Sequence, residues 1–135
     1  MLNFMTAEEA AELIQHGDVL GMGGFTATGV PKAVPFALAQ RAERLHAEGK
    51  PFRVGLETGA SMGDSCDGAL ARAHAVEFRT PYQSNKSMRE EINAEGTHYF
   101  DMHLSHMAQD LRYGFLPKPN WAIIEASYVG EDGTI

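Results

Sequence analysis

Two glycine-bearing segments, each placed directly after a short apolar run, constrain this chain more than any other feature. Gly23-Gly24-Phe25-Thr26-Ala27-Thr28-Gly29 follows Asp18-Val19-Leu20-Gly21-Met22. Thr58-Gly59-Ala60-Ser61-Met62-Gly63-Asp64 follows Phe52-Arg53-Val54-Gly55-Leu56. Runs of that length read as strands, whereas the intervening Val34, Ala37, Leu38, Arg41 and Leu45 recur at helical spacing, with Arg41 at the margin of the face and Gly49 as the stop. Strand, turn, helix, strand is a βαβ unit. Its strands run parallel, because a helical crossover returns the chain in the same direction.

The remaining sequence continues the alternation. Thr6-Ala7-Glu8-Glu9 has the spacing of a capping box, opening a helix that ends before Gly17. Pro31 suits the first turn of the second helix, where a missing N–H is harmless. Further strands are expected at Ala75–Phe78, His98–Met102 and Trp121–Glu125. Helices are expected at Gly68–Arg72, Ser87–Glu95 and Met107–Tyr113, with Ser87-Met88-Arg89-Glu90 as a second capping box. The expected fold class is α/β, a mostly parallel sheet with flanking helices, forming one domain or most of one over residues 1–135. The chain stops at Glu131-Asp132-Gly133-Thr134-Ile135, a turn followed by what reads as the start of a strand, so a piece of a longer product is expected.

Composition narrows the function classes. A formal net charge of −7 disfavours nucleic acid and anionic membranes as partners. No apolar run approaches bilayer thickness, and the N-terminus carries acids where a signal peptide carries bases. The single cysteine, Cys66, has no internal disulfide partner and suits a reducing, cytoplasmic compartment.

In open α/β sheets, ligands sit beyond the C-terminal ends of strands, which is where both glycine-bearing turns fall. Gly21-Met22-Gly23-Gly24-Phe25-Thr26 places Thr26 where a dinucleotide fingerprint needs its third glycine, and no Gly-Lys-Ser/Thr follows for a P-loop. The turn either brings a ligand close to the backbone near a helix N-terminus or simply accommodates positive φ. Ser61 either donates to a carboxylate or caps the next segment. Pro81-Tyr82-Gln83-Ser84-Asn85 reads first as a turn and cap. His98, His103 and His106 lack the acid or cysteine that would complete a metal set. Cys66, between Ser65 and Asp67, reads as a structural thiol, and Glu125 as an ion-paired acid near the ligand edge.

Taken in order, several stretches resemble the acetyl-CoA hydrolase/transferase family, and within it the propionyl-CoA:succinate and succinyl-CoA:acetate CoA-transferases. They are Gly24-Phe25-Thr26 with Gly29 and Pro31-Lys32-Ala33-Val34-Pro35, Thr58-Gly59-Ala60-Ser61 with Asp67-Gly68 and Leu70-Ala71, and Pro81-Tyr82-Gln83-Ser84. Met88-Arg89 with Ile92-Asn93, Tyr99-Phe100-Asp101 with His103-Leu104-Ser105, Gly114, and Ile124-Glu125-Ala126 before Glu131-Asp132-Gly133 complete the set. The resemblance implies a CoA-transferase-type fold of two α/β halves, of which these residues are the N-terminal part. It implies a transfer of CoA between short-chain acids such as acetate, succinate and propionate through a glutamyl-CoA intermediate, with the nucleophilic glutamate in a C-terminal half absent here. It implies no catalytic residue in this stretch, no metal, and no cofactor beyond coenzyme A as substrate. By the same likeness, Gly24, Phe25, Thr26, Ser61 and Ser84 form the wall that receives the small carboxylate, and the full-length enzyme is a homo-oligomer. Acyl-CoA hydrolysis is an alternative within the family. A non-catalytic module binding a small carboxylate or acyl-CoA is an alternative outside enzymology.

Overall fold

The computed structural model describes residues 2–135. In chain order the elements are α1 (Ala7–Leu13), β1 (Val19–Met22), α2 (Ala33–Ala47), β2 (Val54–Thr58), a wide π-helical turn (Asp64–Gly68) leading into α3 (Ala69–Arg72), β3 (Val76–Thr80), α4 (Lys86–Asn93), β4 (His98–Tyr99), α5 (Leu104–Tyr113) and β5 (Trp121–Ile123). The five strands form one sheet in the order β4-β3-β2-β1-β5, and every pairing is parallel. The expected α/β class with a parallel sheet is what the chain adopts.

Topology determines which face each helix covers. From β1 to β4 the chain steps steadily toward one edge, so right-handed crossovers lay α2, α3 and α4 on the same face. The crossover from β4 to β5 runs back to the opposite edge, and the same handedness puts α5 on the other face. The core fills the first face. Leu20 and Met22 of β1, Val54 and Leu56 of β2 and Val76 of β3 pack with Leu38 and Ala42 of α2, Leu70 of α3 and Met88 of α4. The second face carries the register-paired Gly21, Glu57 and Ala122, covered by α5 alone.

Local signals explain most element ends. Thr6 and Glu9 form the reciprocal capping box, with Glu9 N donating to Thr6 Oγ1 at 3.1 Å and Thr6 N to Glu9 Oε2 at 2.7 Å. Arg41 of α2 donates from Nη1 to the carbonyls of Ala11 (2.8 Å) and Ile14, satisfying the end of α1, while its guanidinium lies over the Phe52 ring at 4.9 Å.

Several expected boundaries are corrected, among them β4, expected over His98–Met102 and formed by His98–Tyr99 alone. α2 starts at Ala33, so Pro31 lies outside it and Pro35 occupies the first turn, where its missing N–H still has no intrahelical carbonyl to meet. α4 starts at Lys86, and its cap is Asn85, whose side chain accepts from Met88 N at 3.1 Å. The Ser87 capping box does not form, because Ser87 lies inside the helix with its hydroxyl 3.3 Å from Arg72 Nη1. α5 starts at Leu104, three residues before its expected start, and closes on Gly114 in the left-handed region.

Candidate functional site

The chain segments that follow β1, β2, β3 and β4 converge at the C-terminal edge of the sheet and enclose a cleft of about 630 Å³. Phe25 and Thr26 come from the first, Gly59 and Ala60 from the second, Tyr82 from the third, and Asp101, Met102, His103 and Leu104 from the fourth. This is the edge where parallel sheets leave strand-end amides and turns free for ligands, and the volume suits a small molecule.

The first wall depends on glycine chemistry. Phe25 and Thr28 exchange backbone hydrogen bonds of 2.9 Å in both directions, closing a tight turn with Thr26 at φ 55°. Gly24 sits at φ 117°, and a Cβ there would lie 2.8 Å from the Gly29 carbonyl oxygen. A side chain at Gly24 would therefore break the turn that presents Phe25, whose ring is 63% exposed.

The second wall rests on a buried ionic network. Arg79 and Asp67 are both fully buried and form a fork, with Nε donating to Oδ1 at 3.0 Å and Nη2 to Oδ2 at 3.2 Å. Arg79 also donates to the carbonyls of Thr80 (2.5 Å) and Ala60 (3.1 Å), while Met62 N donates to Asp67 Oδ2 at 2.6 Å. The Gly59–Met62 turn is thus held from beneath by charge-assisted bonds.

The residues expected at the site divide. Phe25 and Thr26 line the cleft, and Gly24 shapes their turn without lining it. Ser61 is buried below Ala60, where its hydroxyl donates to Gln83 Oε1 at 2.8 Å and lies 3.3 Å from Asp67 Oδ2. Asn85 N also donates to Gln83 Oε1, at 2.6 Å, so Ser61 links the second turn to the third. Ser84 is exposed and stands outside the lining. Tyr82, Asp101 and His103 line the cleft although sequence reasoning assigned them no role there. Their arrival depends on strand order, which periodicity does not encode.

Other groups behave as their surroundings dictate. Burial, then the charge of Asp67, pushes the Cys66 thiol up, and Cys66 Sγ lies 3.3 Å from Met22 Sδ. Burial and then Asp101 raise the Tyr99 phenol. Glu125 pairs with Lys32 Nζ at 2.6 Å beside the glycine-bearing turn. His103 and His106 meet edge to face at 5.8 Å, and among the described residues no three His, Cys, Asp or Glu side chains gather as a metal site. No helix among the described residues is long and apolar enough to cross a membrane.

Comparison with known proteins places this architecture. Among solved structures, the chain is similar to the AibA/AibB decarboxylase, with a TM-score of 0.61 and 18% identity over 87% of this chain and 47% of that one. It is also similar to an acyl-CoA transferase from E. coli O157:H7, with a TM-score of 0.58 and 16% identity over 85% of this chain and 23% of that one. In sequence it is 45% identical to the propanoyl-CoA:succinate CoA transferase of Escherichia coli K12 and 46% identical to the succinyl-CoA:acetate CoA-transferase of Clostridium kluyveri, each over 97% of the chain. It is 39% identical to the acetyl-CoA hydrolase of Candida albicans over 96% of the chain. The matches cover 27%, 24% and 26% of those proteins, so the chain spans about a quarter of the length of the curated relatives it matches. Residues 2–135 fit the acetyl-CoA hydrolase/transferase N-terminal domain, and the chain belongs to that family.

Proposed function

We propose that this chain is the N-terminal, carboxylate-receiving part of a cytoplasmic CoA-transferase that moves CoA between short-chain acids such as succinate, propionate and acetate. The observation that carries this reading is the convergence of four strand-end segments on one cleft whose walls are turns and neutral side chains, apart from Asp101 and His103. An acceptor carboxylate needs donors that do not repel it, and backbone amides with the Thr26 and Tyr82 hydroxyls supply that chemistry. In this reading the nucleophilic glutamate and most of the CoA contacts come from polypeptide beyond these residues, and coenzyme A takes part as substrate. Phe25, Phe100, Tyr113, Phe115 and Tyr128 are each more than half exposed, which suits a surface that a further domain covers.

Ser61 acts in this scheme as a positioning residue, joining the Gly59–Met62 turn to Gln83. Transfer is preferred over hydrolysis because the two transferase relatives are 45% and 46% identical, against 39% for the Candida albicans hydrolase.

The test is product analysis on the full-length enzyme with propanoyl-CoA or succinyl-CoA, with and without acceptor acid. Formation of the acceptor's CoA ester, with little free thiol in its absence, is expected. Free thiol released at the same rate with or without acceptor identifies a hydrolase instead. Ser61→Ala in that enzyme is expected to raise KM for the acid more than for the CoA ester, and equal changes remove Ser61 from acid binding.

A further inference from the structure

Adjoining the cleft, with which it shares Gly59 and Leu104, the second face of the sheet holds a groove of about 630 Å³ roofed by α5. Its walls are mostly carbon, drawn from Leu104, Met107, Ala108, Leu111, Pro119 and Ala122. The one ionisable side chain in the lining is Glu57 of β2. Glu57 is 1% exposed, and neither carboxylate oxygen has a hydrogen-bond partner. Thr80, its register partner on β3, has a buried hydroxyl that is also unpartnered. The other polar side chains of the lining are occupied: Thr58 Oγ1 donates to the Ala60 carbonyl, and at the start of β1 Asn120 Nδ2 donates to Asp18 Oδ1 at 2.6 Å while its Oδ1 accepts from Val19 N at 2.7 Å. Buried polar atoms in folded proteins nearly always find partners, so a carboxyl with two orphaned oxygens points to a missing donor.

We propose that this groove is a binding site for a small ligand with an apolar body and a primary ammonium head, the head pairing with Glu57 and the body lying between Pro119 and the apolar face of α5. The charge balance selects the cation. No residue of β1, β5 or α5 places a charged group in the lining, and His106, Asp110 and Arg112 of α5 all lie outside it. Burial alone pushes the Glu57 carboxyl up to about 7, with no neighbouring charge to offset it. An ammonium donates to both oxygens and removes that penalty. A carboxylate ligand is repelled once Glu57 ionises, and a neutral alcohol gains only the apolar contact.

The full-length enzyme is titrated at pH 8 with n-hexylammonium, 1-hexanol and hexanoate, following heat. Saturable hexylammonium binding at least about ten-fold tighter than that of hexanol is expected, together with the same loss on Glu57→Gln, which should leave hexanol binding intact. That retained hexanol signal shows the variant to be folded. At pH 7, hexylammonium binding should release protons to the buffer, because ion pairing draws Glu57 into its charged form. Equal affinities for the three probes, an unaltered Glu57→Gln variant, or no saturable ammonium signal would each overturn the proposal. Tighter binding of hexanoate at pH 5 than of hexylammonium at pH 8 would instead make Glu57 a neutral donor to acids.

Discussion

Asp67 and Glu57 are both acids shut away from water by the same sheet, and they are treated in opposite ways. On the face covered by α2, α3 and α4, Asp67 receives two donors from Arg79 and one from the Met62 amide. On the face covered only by α5, Glu57 receives none. Burial costs each acid several kcal/mol, but only the first recovers it through charge-assisted bonds. A satisfied buried acid fixes a turn. An unsatisfied one keeps a site reactive toward protons and cations, at the expense of stability.

The largest effect is expected from unbalancing the satisfied side. Asp67→Ala leaves Arg79 buried without its anion, and a loss of about 3–5 kcal/mol is expected in urea unfolding. Replacing both partners together, Asp67→Leu with Arg79→Met, should recover most of it, since the cost comes from the uncompensated charge. If the single and double variants lose equally, the network's role lies in shape and not in charge.

Glu57 should respond in the reverse sense. Its folded pKa of about 7 lies above the ordinary 4.5, so the folded state binds more protons between those values. Stability contributed by this group is therefore full below about pH 4.5, falls as pH rises, and is lost above about 7, a swing of about 3 kcal/mol at most. Glu57→Gln should flatten that slope, and Glu57→Leu should exceed the parent at pH 8. Urea unfolding at pH 4.5, 6 and 8 reads both. An unchanged slope in Glu57→Gln would move the titration to another group.

The contrast between these acids was out of reach of the sequence, for a physical reason. Strand and helix periods, the Thr6 capping box and the strand-end glycine turns are local signals, and they located the sheet, its direction and the edge where the turns gather. Asp67 and Arg79 are joined only when β3 lies beside β2, and twelve positions of chain give no hint of it. Glu57 sits in a strand that periodicity leaves free to face solvent. Its burial is imposed by α5, which returns across the sheet about fifty residues later because β5 joins the far edge. Ser61 illustrates the same limit: its residue type suited a ligand contact, while packing under Ala60 turned its hydroxyl toward Gln83.

How firmly the open side is anchored can be sharpened at Asp18. Gln15 N, Asn120 Nδ2 and Trp121 Nε1 all donate to its carboxylate, at 2.7, 2.6 and 2.7 Å, tying β5 to the start of β1. Burial alone would raise this carboxyl, but the three bonds together hold it below its ordinary value. Its contribution is therefore present above the ordinary carboxylate range and lost as pH falls through the lowered one. Asp18→Ala should cost about 1–3 kcal/mol and shift Trp121 emission, whereas Glu57→Gln should leave the strand in place. An unshifted Trp121 would show that the sheet ladder alone holds β5.

The smallest effect is expected where charge meets solvent. Lys32 and Glu125 pair at 2.6 Å across the mouth between the glycine-bearing turn and the end of β5, yet both side chains are about half exposed. Water competes for each partner, and salt screens the attraction, so the pair is worth about 0–1 kcal/mol. A double-mutant cycle of Lys32→Ala and Glu125→Ala should give a coupling in that range that vanishes in high salt. A larger, salt-insensitive coupling would mean that this bridge works like the Asp67–Arg79 fork, and that the distinction between the two regions does not follow burial after all.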